Sequence, residues 1–149
     1  MIQTRHGSCH CGAVRFSCDI DLAPEGDRSA QIRPGPWYAS TLRCNCSFCG
    51  KTRMWKNHIP SEAFRLLQGA DQLSHYRFGE GSIDHTFCKT CGVYAFVSAS
   101  EPVMGGDFFC VNVACLDDVS EEELAAAPIR YEDGAHDDWG NAPRVTSYL

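Results

Sequence analysis

The sequence contains no apolar run approaching the roughly 20 residues that a membrane-spanning helix requires. It also lacks internal repeats, heptads, low-complexity tracts and Gly/Ser linkers, so nothing marks a solenoid, a coiled coil or a string of modules. Positive charge is not in excess: 13 Lys and Arg face 19 Asp and Glu, a net charge of −6. A surface that neutralises nucleic-acid phosphates shows the opposite balance, so no nucleic-acid partner is expected. The opening residues 1–7 carry no apolar centre of a secretory signal, which leads us to expect a cytoplasmic, reducing setting with no membrane involved.

What remains is a chain of 149 residues, 44 % hydrophobic and 21 % charged, the size and composition of one globular domain over residues 1–149. Charge is unevenly spread. Residues 117–138 hold nine acids against the single base Arg130, which reads as a solvated acidic face. Val14, Phe16 and Cys18 alternate with Arg15 and Ser17, the period of a half-buried strand. Leu73–Phe78, Ile83–Phe87, Val93–Val97 and Phe108–Leu116 are rich in β-branched and aromatic residues and bounded by turn formers. Asp19–Pro36 reads as a loop punctuated by Pro24, Gly26, Pro34, Gly35 and Pro36. Ser120 and Glu123 form a capping box before three alanines and Pro128, predicting one short C-terminal helix; a weaker helical turn starts at Ser61. The expected fold is mainly β.

Ten cysteines dominate the chemistry. Without a disulfide-forming compartment, closely spaced cysteines bind metal or perform redox work. They form three clusters: Cys9-His10-Cys11-Gly12, Cys44-Asn45-Cys46-Ser47-Phe48-Cys49, and Cys88-Lys89-Thr90-Cys91-Gly92. A C-x-x-C knuckle can present both sulfurs to one zinc, and the C-x-C pair can supply two more, so Cys9, Cys11, Cys88 and Cys91 suit a closed structural site. Cys44, Cys46 and Cys49 supply three thiolates and leave a fourth position open, the mark of catalytic zinc. Two zinc ions per chain are therefore expected. Spacing alone leaves other pairings open, with His10 or His85 completing a site, or a disulfide in the middle cluster. Cys18, Cys110 and Cys115 stand in strand-like contexts and read as small buried hydrophobes. Arg43, Lys51, Arg53 and Lys56 flank the middle cluster without an acid among them, so they offset thiolate charge, attract an anionic substrate, or simply face solvent.

Gly7-Ser8-Cys9-His10-Cys11-Gly12-Ala13-Val14, Cys44-x-Cys46-Ser47-x-Cys49 and Phe87-Cys88-x-x-Cys91-Gly92, in this order, resemble the glutathione-dependent formaldehyde-activating enzyme family, which also takes in centromere protein V. The resemblance implies several coiled antiparallel sheets clipped by zinc. It implies structural zinc at Cys9, Cys11, Cys88 and Cys91, and labile catalytic zinc at Cys44, Cys46 and Cys49. It implies a carbon–sulfur lyase that condenses glutathione with formaldehyde. Lys51 and Arg53, with Lys56, become candidate contacts to the thiol substrate, and His58 or His85 a candidate general acid. The competing readings are a non-catalytic zinc-bound thiol-binding or interaction module and a redox enzyme of the methionine sulfoxide reductase type.

Overall fold

The computed structural model describes residues 1–24 and 40–149. Among the described residues ten strands lie in two sheets. In the smaller, β1 (Gln3–Ser8), β2 (Arg15–Ile20) and β5 (Phe64–Gln68) run antiparallel in that order. The larger has seven strands, ordered β10-β3-β4-β9-β8-β7-β6. These are β3 (Thr41–Cys44), β4 (Lys56–Pro60), β6 (Leu73–Tyr76), β7 (Ile83–Cys88), β8 (Phe96–Glu101), β9 (Gly106–Asn112) and β10 (Ile129–Glu132). All its pairings are antiparallel except β10 on β3, so one edge departs from the expected all-antiparallel arrangement.

The inner faces of the two sheets share one core. Phe16 of β2 is fully buried, with its ring 5.5 Å from Phe64 of β5 and 5.6 Å from Phe96 of β8. Phe64 stacks on Phe109 at 4.0 Å, carrying the aromatic contact across β9. Each such buried ring contributes about 1.5–3 kcal/mol by leaving water. A smaller apolar cluster of Met54, Val97, Ala99, Met104, Phe108 and Cys110 completes the packing.

Two expected strands shift. The Cys88–Val93 turn, closed by the Cys88 amide on the Val93 oxygen at 3.1 Å, uses up residues 89–93, and β8 starts only at Phe96. β9 ends at Asn112 because the Asn112 side chain accepts from the Ala114 amide at 3.2 Å and winds Val113–Cys115 into a 3-10 turn. The expected loop from Asp19 gives up Asp19 and Ile20 to β2, while residues 25–36 of it lie outside the described residues. The C-terminal helix is present as α2 (Glu121–Ala126) with its complete capping box, and Ser61–Ala63 forms the weaker turn. A second short helix, α1 (Cys49–Thr52), was not foreseen. Among the described residues no helix is long and apolar enough to cross a membrane.

Candidate metal centres

Two tight turns from different sheets meet at the first cluster. Cys9 and Cys11 lie in the β1–β2 connection, where the Cys9 amide donates to the Val14 oxygen at 3.0 Å and the Gly12 amide to the Cys9 oxygen at 2.9 Å. Cys88 ends β7, and the Gly92 amide donates to the Cys88 oxygen at 2.8 Å. Gly12 and Gly92 both take positive φ, +75° and +73°, which lets each turn close without a Cβ penalty. The four sulfurs of Cys9, Cys11, Cys88 and Cys91 lie within 4.8 Å of one another. Cys9–Cys11 and Cys11–Cys88 separations are 3.6 and 3.7 Å. Four thiolates at zinc's roughly 2.3 Å bond length are about 3.8 Å apart at tetrahedral corners, so the donor set fits that ion. A disulfide needs about 2.05 Å, and all ten cysteines are free.

The second cluster comes from one stretch. Cys44 ends β3, Cys46 sits in the following turn and Cys49 opens α1; their sulfurs also lie within 4.8 Å of one another. The Cys46 amide donates to the Cys44 sulfur at 3.3 Å, and the Cys49 amide to the Cys46 sulfur at 3.4 Å, both favouring thiolate character. Hydrogen bonds from Cys44 and Cys49 drive the Cys46 thiol far below its ordinary value, while those from Cys44 and Cys46 push Cys49 upwards. Three thiols this close cannot all ionise unaided, and a divalent cation is the group that relieves the conflict. Among the described residues no fourth His, Cys, Asp or Glu joins this set.

The surroundings are asymmetric. On one side the Lys56 ammonium reaches the Cys49 sulfur at 3.9 Å. Burial alone would lower its affinity for a proton, but facing Cys49, Cys110, Glu132 and Cys44 it is held firmly charged. On another side Phe48, inside the cysteine turn, has its ring centroid 3.9 Å from His85, and Phe78 stacks on His85 at 5.2 Å. The Tyr94 hydroxyl is 2.5 Å from His85 Nδ1. His58, the other histidine considered, is buried in β4 with its ring edge-on to Phe108 at 5.5 Å, and burial keeps it neutral. Arg53 is close to the cluster, whereas Lys51 is exposed on α1. Cys18 and Cys110 are buried in strands as expected, whereas Cys115 is half-buried in the 3-10 turn after β9.

The family match covers residues 4–132, spanning both cysteine clusters. The chain belongs to the glutathione-dependent formaldehyde-activating enzyme family. Its fold is similar to the crystal structure of a Rhodobacter sphaeroides protein, with a TM-score of 0.61 and 29 % identity over 84 % of this chain and 99 % of that one. This family carries an enzyme activity in its name, and the two clusters offer donor sets compatible with zinc. Sequence reading missed the aromatic wall of Phe48, His85 and Tyr94, whose members are scattered over residues 48–94 and meet only through β7 and the β7–β8 turn. It also missed that residues after the family match reach the second cluster's turn: the Ala135 amide donates to Asn45 Oδ1 at 2.9 Å, and Leu149 lies beside Cys44 and Cys49.

Proposed function

We propose that the protein is a zinc-dependent carbon–sulfur lyase-type enzyme that joins a thiol, glutathione by the family's name, to formaldehyde or a related small aldehyde. In this reading Cys9, Cys11, Cys88 and Cys91 hold a structural zinc, and Cys44, Cys46 and Cys49 a catalytic one. Ten unpaired cysteines support a reducing, cytoplasmic setting. The observation that carries the proposal is the three-sulfur turn: one ligand short of a closed tetrahedron. Zinc bound there would lower the pKa of a thiol taken as fourth ligand and so supply a nucleophile near neutral pH.

The chain's own groups do the rest. Lys56, charged beside Cys49, offsets the negative charge of the sulfurs. Burial raises the pKa of the Tyr94 hydroxyl, so it keeps its proton and stays hydrogen-bonded to His85 Nδ1 at 2.5 Å. That contact orients the ring, so that His85 would exchange a proton with the reacting atoms through Nε2. In the reaction the sulfur–carbon bond forms, the carbonyl π bond becomes an O–H bond, and the thiol proton is returned to the base. Phe48, Phe78 and Tyr94 set apolar ring faces beside this exchange.

Calorimetry on zinc-loaded protein tests the reading. Glutathione should bind at least about a hundredfold more tightly than S-methylglutathione, because metal–sulfur bonding outweighs exposed charge pairs of under about 1 kcal/mol. Equal affinity would replace the enzyme with a non-catalytic module.

A further inference from the structure

The pocket bounded by Arg43, Cys44, Cys49, Arg53, Met54 and Leu149 has only about 10 Å³ of free space, barely room for one water. The chain itself fills it. Arg43 Nη1 donates to the main-chain oxygen of Leu149 at 2.6 Å, and Arg53 Nη1 donates to that of Tyr148. The Arg53 guanidinium also lies over the Tyr148 ring, 5.6 Å from its centroid. Each arginine thus meets a single oxygen of this segment. Arg43 is built to do more. Its guanidinium sits over Trp55 at 5.8 Å, and the indole is pinned by its Nε1–H to Thr41 Oγ1 at 2.7 Å. Its Nε is buried without a hydrogen-bond partner, an N–H that costs free energy until an acceptor meets it. A carboxylate presented side-on would accept from Nε and an Nη together, the two-pronged match that this one-oxygen contact does not make. Residues 145–149 lie beyond the family match at 4–132, and Val145, Ser147 and Tyr148 are exposed, so little core holds this segment down.

Resting on the reading of Cys44, Cys46 and Cys49 as a thiol-binding metal site, we propose that residues 145–149 form a strap over that site, and that Arg43 and Arg53 beneath it receive the carboxylate of the thiol substrate when the strap lifts. The strap sets specificity: a thiol with a carboxylate can take over both arginines, whereas a neutral thiol gains nothing for displacing it.

The test compares the zinc-loaded full chain with a chain ending at Arg144, using calorimetry with glutathione and with 2-mercaptoethanol, which has no carboxylate. Removing the strap should tighten glutathione binding about tenfold, the worth of one freed charged hydrogen bond, and 2-mercaptoethanol by less than about twofold. Arg43→Gln in the shortened chain should take back the glutathione gain and leave 2-mercaptoethanol unchanged; Arg53→Gln, at an exposed residue, is the second variant should Arg43→Gln fail to fold. Equal gains for both thiols, no gain, or a gain that survives the arginine substitutions overturns the strap while leaving the thiol reading intact. Failure of 2-mercaptoethanol and glutathione alike to bind either chain removes the thiol reading, and the strap with it.

Discussion

The two cysteine clusters use the same donor atom in opposite surroundings. Cys9 and Cys88, 2 % and 1 % exposed, are members of the main core, and their turns come from different sheets. Cys44 is as buried as they are, but Cys46 and Cys49 are half-buried and all three leave a single turn. Residues some 77 positions apart, such as Cys11 and Cys88, are costly to bring together, so whatever joins them contributes directly to folding. Ligands in one turn are already close. A metal held there would add chemistry more than architecture.

The sharpest way to break that contrast is to remove one sulfur from each side. Zinc bound by small thiolate sites contributes on the order of 10 kcal/mol, as large as the whole stability of an ordinary domain. Cys88→Ser should therefore abolish cooperative thermal unfolding and lose the metal of its own cluster. Cys46→Ser should keep a cooperative melt within a few degrees of the parent, retain one tightly held zinc by native mass spectrometry, and lose thiol binding. In the unaltered protein a mild chelator should strip one zinc quickly and the other slowly. Comparable melting of the two variants would show that both sites, or neither, hold up the fold.

The contrast was partly legible in the residues. A C-x-x-C followed by glycine and a C-x-C followed by glycine dictate their own turns, so each knuckle was legible locally, whereas the meeting of Cys9 and Cys11 with Cys88 and Cys91 across 77 positions is tertiary. Strands with alternating apolar residues, such as β2, were legible for the same local reason. β1, β3, β4, β5 and β10 were not. β3 reads Thr41-Leu42-Arg43-Cys44 and takes its place only because β10 and β4 pair with it, which is tertiary context. The acidic run shows the same limit. Most of it faces water, but Glu132 is buried opposite Cys44, and Asp133 accepts from Asn45 Nδ2 at 2.6 Å, clamping the second cysteine turn. Composition cannot tell a solvated carboxylate from one that finds a partner 88 residues away.

A pair of glycines refines the comparison at smaller cost. Gly69 has φ +89°, and a Cβ there would run into the Ala13 oxygen and lie 2.9 Å from Val14 Cα, backbone that leads out of the Cys9–Cys11 turn and cannot yield. A Cβ on Gly134 would lie 2.8 Å from the Cys44 sulfur and 2.7 Å from two ring atoms of Trp139, whose half-exposed indole can swing away. Gly69→Ala should cost about 1–3 kcal/mol in urea unfolding, by overpacking in a left-handed turn. Gly134→Ala should cost under about 1 kcal/mol and instead speed chelator release of the second metal, because the clash falls on one of its ligands. If Gly134→Ala proves the more destabilising, the second cluster is as much a part of the fold's framework as the first.

The smallest effect concerns what pins β1, the strand that delivers Cys9. The Asp118 carboxylate accepts from the His6 amide at 3.1 and 3.0 Å and faces His6 Nδ1 at 3.0 Å. Burial works to raise its pKa, but the bonds from His6 outweigh burial and hold it below the ordinary carboxylate value. A folded-state pKa below the unfolded one adds stability that is complete above the unfolded value, about 3.9, and disappears as pH falls through the folded value. Asp118→Asn should thus lower stability at pH 7 by under about 1 kcal/mol, since both side chains are largely exposed, and the gap to the parent should narrow as pH falls below the unfolded value and through the lower folded one. Thermal melts across that range measure it. Thiol affinity at the three-cysteine site should not move, because separate sites without shared partners act additively. A change of more than about twofold there would mean that strain at β1 reaches the second cluster through the shared core, and that the two centres are coupled parts of one device.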